Sequence, residues 1–176
     1  FGLLSQNDQS FNLQNLNNPN HRGPDNTQSN ISIDNIFFQF HRLCINDLSD
    51  DGNQPFENDK YIWMCNGEIY NHKQLKVTYN ITCDSNSDCE VIGHLIDILS
   101  IEELCKALNG VFAISIFDKI NKTLYLIRDP IGVRPLYYYK DDKQFVFASE
   151  GKSLDSIVEN KKNIKQFQPS SYMIYS

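Results

Sequence analysis

The sequence lacks several patterns that would define a class of protein at once. None of its apolar runs approaches the ~18 residues of a transmembrane helix, and the amino terminus has no charged region followed by an apolar stretch and a small-residue cleavage site. Lysine and arginine number only 16 against 22 acidic residues, which leaves a net charge of −6. A nucleic-acid surface needs clustered basic side chains. We therefore expect a soluble, cytoplasmic protein that binds neither a membrane nor a nucleic acid.

The cysteines lack the spacing of a metal site. The chain has five of them, none in a C-x-x-C pair, and no histidine stands at a distance suited to zinc. His94 has no second ligand one helical turn later, which favours a surface or packed histidine. An odd number of cysteines among apolar neighbours is typical of a reducing compartment. We expect no metal.

What is present predicts one globular domain over residues 1–176. Hydrophobic residues make up 40% of the chain and aromatic residues 12%, enough to bury a core. Strands at regular intervals and two helices grouped in the middle indicate an α+β protein with antiparallel sheets that stack on each other. Residues 31–40 are predicted to form a hairpin or one bent strand. The other predicted strands are residues 61–65, 111–117, 123–127, 136–139 and 145–149, and a final pair, 164–167 with 172–175. The predicted helices are residues 87–99, 101–108 and 150–158, and residues 5–20 are predicted to form a loop.

The densest group of polar atoms follows the predicted strand 61–65. Asn66-Gly67 is a strong turn signal, because both residues tolerate positive φ. The same stretch combines an amide, the bare backbone N–H of glycine and the carboxylate of Glu68, as sites for polar small molecules often do. The stretch can therefore be either a turn or part of a binding site for a polar small molecule.

Two charged residues have simple structural explanations. Ser87 with Glu90 predicts a capping box, which puts Asp88 at the first helical position, where the helix dipole alone favours a carboxylate. Arg42 stands between apolar residues of a strand, so its guanidinium group either extends to the sheet edge or binds an anion. From this position alone, the sheet edge is favoured.

A series of motifs in one order is more specific than any of these signals. It comprises His-Arg-Gly-Pro-Asp at 21–25, His-Arg-Leu at 41–43, Gly-x-Gln-Pro at 52–55, Asn-Gly-Glu-Ile-Tyr-Asn-His at 66–72, Ser-Asp-Cys-Glu at 87–90, Leu-Asn-Gly-Val-Phe-Ala at 108–113, Arg-Asp-Pro-Ile-Gly-Val-Arg-Pro-Leu at 128–136 and Ala-Ser-Glu at 148–150. The series resembles the glutamine-hydrolysing domain of asparagine synthetases, of the class II glutamine amidotransferase type. The resemblance implies the N-terminal-nucleophile hydrolase fold, a four-layer αββα sandwich.

The resemblance also implies a mechanism and a set of site residues. In that family an amino-terminal cysteine attacks the side-chain amide of glutamine, with its own α-amine as base. A thioester forms, ammonia leaves, and water then releases glutamate. The resemblance implies that Asn66 and Gly67 form the oxyanion hole. Arg42 would bind the α-carboxylate of glutamine, and Asp88 with Glu68 would bind its α-amino group. Leu43 and Ile45 would contact the substrate through their main chains. Arg22, Asp25, Arg128, Asp129 and Arg134 are expected to be structural ion pairs and turn-formers.

The sequence departs from the family pattern at its start. The pattern begins Cys-Gly-Ile-Phe-Gly, whereas this sequence begins at the Phe, so the expectation is that about three residues, the nucleophile among them, precede Phe1. None of the internal cysteines has a free α-amine to activate it. The alternative is an inactive module that binds glutamine or supports a partner.

Two further departures concern the scaffold and the ammonia acceptor. Ser170 follows Pro169 where the family usually has Gly, and residues 1–21 are Asn-rich where the family has an amphipathic helix. The Ser-Gly-Gly-x-Asp-Ser loop of the synthetase domain is absent, so ATP and Mg are expected only in such a domain and no cofactor in this one. The expected partner is a synthetase domain or subunit, with a homodimer left open; a sugar phosphate or phosphoribosyl acceptor is a weaker alternative.

Overall fold

The computed structural model describes residues 2–5, 20–32, 36–155 and 157–176. The strands in these ranges are β1 (Gly2–Ser5), β2 (Asn26–Ser32), β3 (Ile36–Arg42), β4 (Phe56–Glu57), β5 (Tyr61–Ile69), β6 (Gly110–Asp118), β7 (Thr123–Arg128), β8 (Tyr137–Lys140), β9 (Gln144–Ala148), β10 (Lys165–Gln166) and β11 (Ser171–Tyr175). The α-helices are α1 (His72–Thr78), α2 (Val91–Leu95) and α3 (Ile101–Ala107). This composition of antiparallel strands and a few helices is the expected α+β class. Most of the loop predicted for residues 5–20 lies outside the described residues.

The chain divides into two compact units. The first contains residues Phe1–Leu43 and Pro135–Phe167, and the second Cys44–Arg134 and Gln168–Ser176. Each unit has one sheet, and the expected single domain over residues 1–176 stays a prediction. In the described part of the chain, no helix has both the length and the apolar content needed to cross a membrane.

The first unit is built on a six-stranded sheet in the order β10-β8-β9-β1-β3-β2. The hairpin predicted around residues 31–40 is confirmed as β2 and β3, and the strands predicted at 136–139 and 145–149 are confirmed as β8 and β9. Alternate residues of β3 and β9, such as Phe37 and Val146, pack with Leu154 in one apolar cluster. The opposite face of these strands carries the rings of Phe38 and Phe147, whose centroids are 6.2 Å apart. Both faces of the central strands are therefore apolar, as expected for buried strands.

The second unit is built on a five-stranded sheet in the order β11-β7-β6-β5-β4. Its two long central strands pair along their whole length, from Tyr61 opposite Asp118 to Ile69 opposite Gly110. The three helices cover one face of this sheet, and the apolar cluster between them includes Trp63. The Trp63 ring stacks on Phe56 with centroids 5.5 Å apart, and it occupies the space where a Cβ at Gly93 would lie, only 2.3 Å from the ring.

Several predicted element ends are wrong. The predicted helix 87–99 shortens to α2, and Ser87 and Glu90 form no capping box; the Glu90 carboxylate instead accepts hydrogen bonds from the backbone N–H groups of Asp84 and Ser85. The true capping box is one helix later, where Ser100 and Glu103 bond reciprocally. A capping signal of this kind fails when other nearby backbone N–H groups compete for the same carboxylate.

The end of the chain also differs from the prediction. The helix predicted for residues 150–158 is reduced to a 3₁₀ turn at Gly151–Ser153. The final two strands do not pair with each other, because β10 pairs with β8 and β11 with β7. Between them Ser170 has a φ of 54°, the left-handed conformation that glycine adopts at least cost. This explains in physical terms why glycine is usual at that position in the family pattern.

Candidate functional site

The predicted turn at Asn66-Gly67 is wrong, because both residues lie inside β5 opposite Ala113 and Phe112. Gly67 has a packing reason to be glycine: a Cβ there would lie 2.0 Å from the carbonyl oxygen of Val111. The polar stretch is therefore a strand and not a turn, and its side chains alternate between the two faces of the sheet.

The free edge of β5 aims backbone donors away from β6. The N–H of Cys65 donates to the Oε1 atom of Gln54 at 2.7 Å, and the N–H of Ile69 donates to Asp88 Oδ2 at 2.5 Å. N–H groups of alternate residues in a strand point to the same edge. The N–H of Gly67, midway between these two, therefore points to the same edge as Asp88.

Asp88 is a buried carboxylate that its neighbours hold in place. Only 5% of the residue is exposed, and its two oxygens accept from Ile69 N–H and from the Asn46 side-chain amide at 2.8 Å. It precedes α2 and does not cap a helix, so the dipole interpretation does not explain its position. Among the described residues, Ile69 and Asn46 are neutral donors to Asp88, and a buried carboxylate held by neutral donors suits a ligand that brings a positive charge.

Asn66 carries an unused donor. Its Nδ2 atom is buried and has no hydrogen-bond partner among the described residues. A buried amide N–H left without a partner costs about 1–3 kcal/mol. Such an orphan donor is unusual in a folded protein and points to a ligand atom that would accept from it.

Glu68 shares the Asn66 face of β5, because the two residues are two positions apart. Its carboxylate lies 3.9 Å from the Nη2 atom of Arg134, and both side chains are about one-third exposed. An ion pair as long and as exposed as this one is weak, so Glu68 keeps capacity for another cationic group.

The nearby Cys89 is not poised to act as a nucleophile. Its sulfur lies 3.9 Å from the Gly67 carbonyl oxygen and 3.7 Å from Asp88 Oδ2. A hydrogen bond with Cys65 and complete burial raise the pKa of the Cys89 thiol well above its usual range. The thiol is therefore neutral at physiological pH, whereas the thiolate is the reactive form.

The loop after β7 is ordered by one carboxylate. Asp129 is fully buried; its Oδ1 atom accepts from the N–H groups of Ile131, Gly132 and Val133, and its Oδ2 atom from those of Phe112 and Arg134. Burial by itself raises the pKa of this carboxyl, but the backbone donors outweigh it and the pKa is lowered overall. Asp129 is the expected turn-former.

The other residues expected to be structural ion pairs and turn-formers have several kinds of partner. Arg128 donates to the carbonyl oxygens of Arg134 and Gly132 at 2.9 and 2.8 Å. In the first unit, Arg22 lies 3.5 Å from Glu150, as expected for a structural ion pair. The backbone N–H of Asp25 donates to the carbonyl oxygen of Arg42.

The remaining predicted site residues lie at the end of β3 and just beyond it. Arg42 is the last residue of β3 and only 7% exposed, so the sheet-edge interpretation of its charge is wrong. The side chains of Leu43 and Ile45 are exposed, which fits contacts made through their main chains. Arg42 and Leu43 belong to the first unit, whereas Ile45, Asn66, Gly67, Glu68 and Asp88 belong to the second.

One asparagine that contacts the site, Asn46, was missed in the sequence. Asn46 orients Asp88, and no spacing rule links residues so far apart. Asn71 joins the end of β5 to the start of β6, since its amide donates to Ala107 O and accepts from Asn109 N–H. Gly110, the next residue, begins β6. In the segment that includes Asp88, the described residues also contain a cluster with metal-binding atoms, formed by Cys83, Glu90 and His94.

Comparisons with known proteins identify the family of the chain. The model of the family described as "Glutamine amidotransferase domain" matches residues 1–176. The chain belongs to the glutamine amidotransferase family. This amidotransferase domain is 44% identical over 161 residues to a protein of Acanthamoeba polyphaga mimivirus named "Probable asparagine synthetase [glutamine-hydrolyzing]", in a match that covers 88% of this chain and 28% of that protein. It is 42% identical over 139 residues to "Asparagine synthetase [glutamine-hydrolyzing] 2" of Bacillus subtilis, covering 77% of this chain and 18% of that protein.

A solved structure shows the fold of the amidotransferase domain. The glutamine phosphoribosylpyrophosphate amidotransferase of B. subtilis superposes with a TM-score of 0.66 at 22% identity, over 80% of this chain and 33% of that chain. The expected α+β fold of the N-terminal-nucleophile type is thereby confirmed. The chain spans less than a third of the two asparagine synthetases named above.

Proposed function

We propose that this amidotransferase domain hydrolyses glutamine at the edge of β5 and supplies the ammonia to a synthetase domain or subunit that forms asparagine. The observation that carries the proposal is the orphan Nδ2 donor of Asn66 next to the outward N–H of Gly67. A tetrahedral intermediate with a negatively charged oxygen requires hydrogen-bond donors of this kind. The names of the asparagine synthetase relatives support the choice of acceptor.

The substrate's charged groups are assigned by chemistry. Asp88, buried and fixed by two neutral donors, would receive the α-ammonium group of glutamine, with Glu68 nearby on the same strand. Arg42 would receive the α-carboxylate, which its planar guanidinium can bind through two parallel hydrogen bonds. The family resemblance also assigns main-chain contacts with glutamine to Leu43 and Ile45.

The register of the first sheet is consistent with a nucleophile ahead of Phe1. In the pairing of β1 with β3, Gly2 lies opposite Phe38 and Leu3 opposite Phe37, so paired residue numbers sum to 40. An extension of β1 in the same register would bring the position three residues before Phe1 opposite Arg42. The family pattern has its cysteine at that position. The reactive thiolate would then lie beside the residue assigned to the substrate's carboxylate.

In the proposed reaction the thiolate attacks the side-chain carbonyl carbon of glutamine. Asn66 and Gly67 donate to the oxygen as its negative charge develops, and each such donor is worth a few kcal/mol in a preorganised site. The α-amine of the cysteine passes a proton to the leaving ammonia, and water then releases glutamate from the thioester. The ATP and Mg needed for asparagine formation would belong to the synthetase part.

The test uses the chain preceded by Cys-Gly-Ile, with the cysteine as first residue. We expect it to release glutamate and ammonia from glutamine, and the same chain with Ser for that cysteine to bind glutamine without turnover. A folded, cysteine-bearing chain that binds glutamine but never hydrolyses it would support the alternative of a binding module. A chain that does not bind glutamine at all would overturn both.

Two variants test the assigned pocket by calorimetry with glutamine. Arg42→Ala and Asp88→Ala each remove a charged partner, and we expect about 10- to 100-fold weaker binding from each. Asp84→Ala is the matched control, because it removes an exposed carboxylate from the same segment and should leave the affinity unchanged. Unchanged affinity in both pocket variants would refute the assignment.

A further inference from the structure

A second cluster of chemistry-bearing side chains lies in the second unit and plays no part in the proposed hydrolysis. It consists of Cys83, which is half-buried, Glu90, which is buried, and His94, whose side chain is 38% exposed. The sulfur, a carboxylate oxygen and an imidazole nitrogen all lie within 4.8 Å of one another.

Glu90 is held as a fixed ligand. Its Oε2 atom accepts from the backbone N–H and the hydroxyl of Ser85, at 2.8 and 2.5 Å. Among the described residues, its Oε1 atom accepts one hydrogen bond, from Asp84 N–H at 2.8 Å, and lies 3.9 Å from the Nε2 atom of His94. A carboxylate oxygen has two acceptor sites, so Oε1 retains one for a further ligand. Hydrogen bonds that orient a ligating group in this way are typical of metal sites.

The other two ligands can move toward it. Ligand atoms around a tetrahedral zinc ion are about 3.3–3.6 Å apart, so a spacing of 4.8 Å must contract by about 1 Å. Cys83 and His94 are the more exposed members of the cluster and can rotate at little cost, whereas Glu90 need not move. The side chain of Lys76 contacts the Cys83 sulfur and must swing toward solvent when a cation binds.

We propose that Cys83, Glu90 and His94 bind one Zn²⁺ ion, with water in the fourth position. Thiolate, carboxylate and imidazole are the ligand types that this borderline-soft cation accepts together. Binding forms the Zn–S bond and releases the Cys83 thiol proton to solvent. One thiolate and one carboxylate then balance the charge of the ion. The ion would tie the segment that leads to Asp88 onto α2.

The spectroscopic test uses the purified full chain and Co²⁺ as probe. Thiolate ligation gives a charge-transfer band in the near ultraviolet, and we expect this band to appear at one equivalent of Co²⁺ and to disappear in Cys83→Ser. Added Zn²⁺ should bleach it. A band that persists in Cys83→Ser, or a chain that shows no band, would overturn the proposal.

The affinity test uses Zn²⁺ alone, in competition with a chromophoric chelator. Cys83→Ser and His94→Ala should each weaken binding at least about tenfold, and circular dichroism checks that both fold. Cys105→Ser is the matched control, because Cys105 is also half-buried but lies outside the cluster; it should bind as tightly as the unsubstituted chain. Equal affinity in all three variants would show that the site lies elsewhere, and so would a loss confined to Cys105→Ser.

Discussion

The replacement of Asn66 by alanine separates a catalytic donor from a structural one. The Nδ2 atom of Asn66 is buried with no partner among the described residues, so the folded chain has no hydrogen bond to lose there. We expect the free energy of unfolding to stay within about 1 kcal/mol or to rise, because an unsatisfied buried N–H costs about 1–3 kcal/mol. In the cysteine-bearing chain, loss of one oxyanion donor should lower kcat about 10²- to 10³-fold, equivalent to about 2.7–4 kcal/mol.

The assay measures glutamate release at saturating glutamine, together with urea unfolding of the same preparation. Asn121→Ala is the control variant, in which we expect stability and not kcat to fall. The Asn121 amide donates to Asp118 Oδ2 at 2.8 Å in the β6–β7 turn, so its loss should lower stability by about 0.5–1.5 kcal/mol and leave kcat unchanged. If Asn66→Ala kept kcat within about tenfold of the unsubstituted value, or unfolded more easily than Asn121→Ala, the oxyanion assignment would be refuted.

The other predictions concern stability. Gly93→Ala should destabilise the fold by about 1–3 kcal/mol in urea unfolding, because the new Cβ would lie 2.3 Å from the Trp63 ring. Gly151→Ala is the control and should have little effect, since its Cβ would lie 3.6 Å from Tyr137. Equal loss of stability in the two variants would contradict this packing. Asp129 has a lowered pKa in the folded state, so its stabilisation is complete above the ordinary aspartate pKa of about 3.9 and is lost as pH falls through the lower folded value. Asp129→Asn should therefore be less stable at pH 7 and lose less stability on acidification than the unsubstituted chain; parallel pH profiles would refute this role.

The strands could be predicted from the sequence where their apolar pattern is unambiguous. The continuous run at 111–117 and the residues of β7, β8 and β9 were assigned correctly, because buried strands need little from context beyond hydrophobicity. Failures occurred where a local signal competed with a tertiary partner. Asn66-Gly67 is extended because β6 pairs with it. The Glu90 prediction failed through local competition instead, since the carboxylate accepts from the backbone of Asp84 and Ser85 in the preceding turn.

The sequence predicted which residues belong to the site but not how they are arranged. The motif series identified Asn66, Gly67 and Asp88, but spacing alone favoured a turn and a helix cap for them. Asn46 had no sequence signal, since its contact with Asp88 joins segments 42 residues apart. The cluster of Cys83, Glu90 and His94 was missed for the same reason: Cys83 stands outside any helical repeat.

The sequence by itself determined the family, the antiparallel α+β class and the types of group available to the site, because these depend on residue identity and order. The tertiary structure decided which of these groups lack partners and which edge they face. Strand pairing points the Gly67 N–H to the same edge as Asp88, burial leaves the Asn66 Nδ2 atom without a partner among the described residues, and Ile69 and Asn46 fix the Asp88 carboxylate. Those outcomes depend on contacts between distant segments, which no local pattern contains.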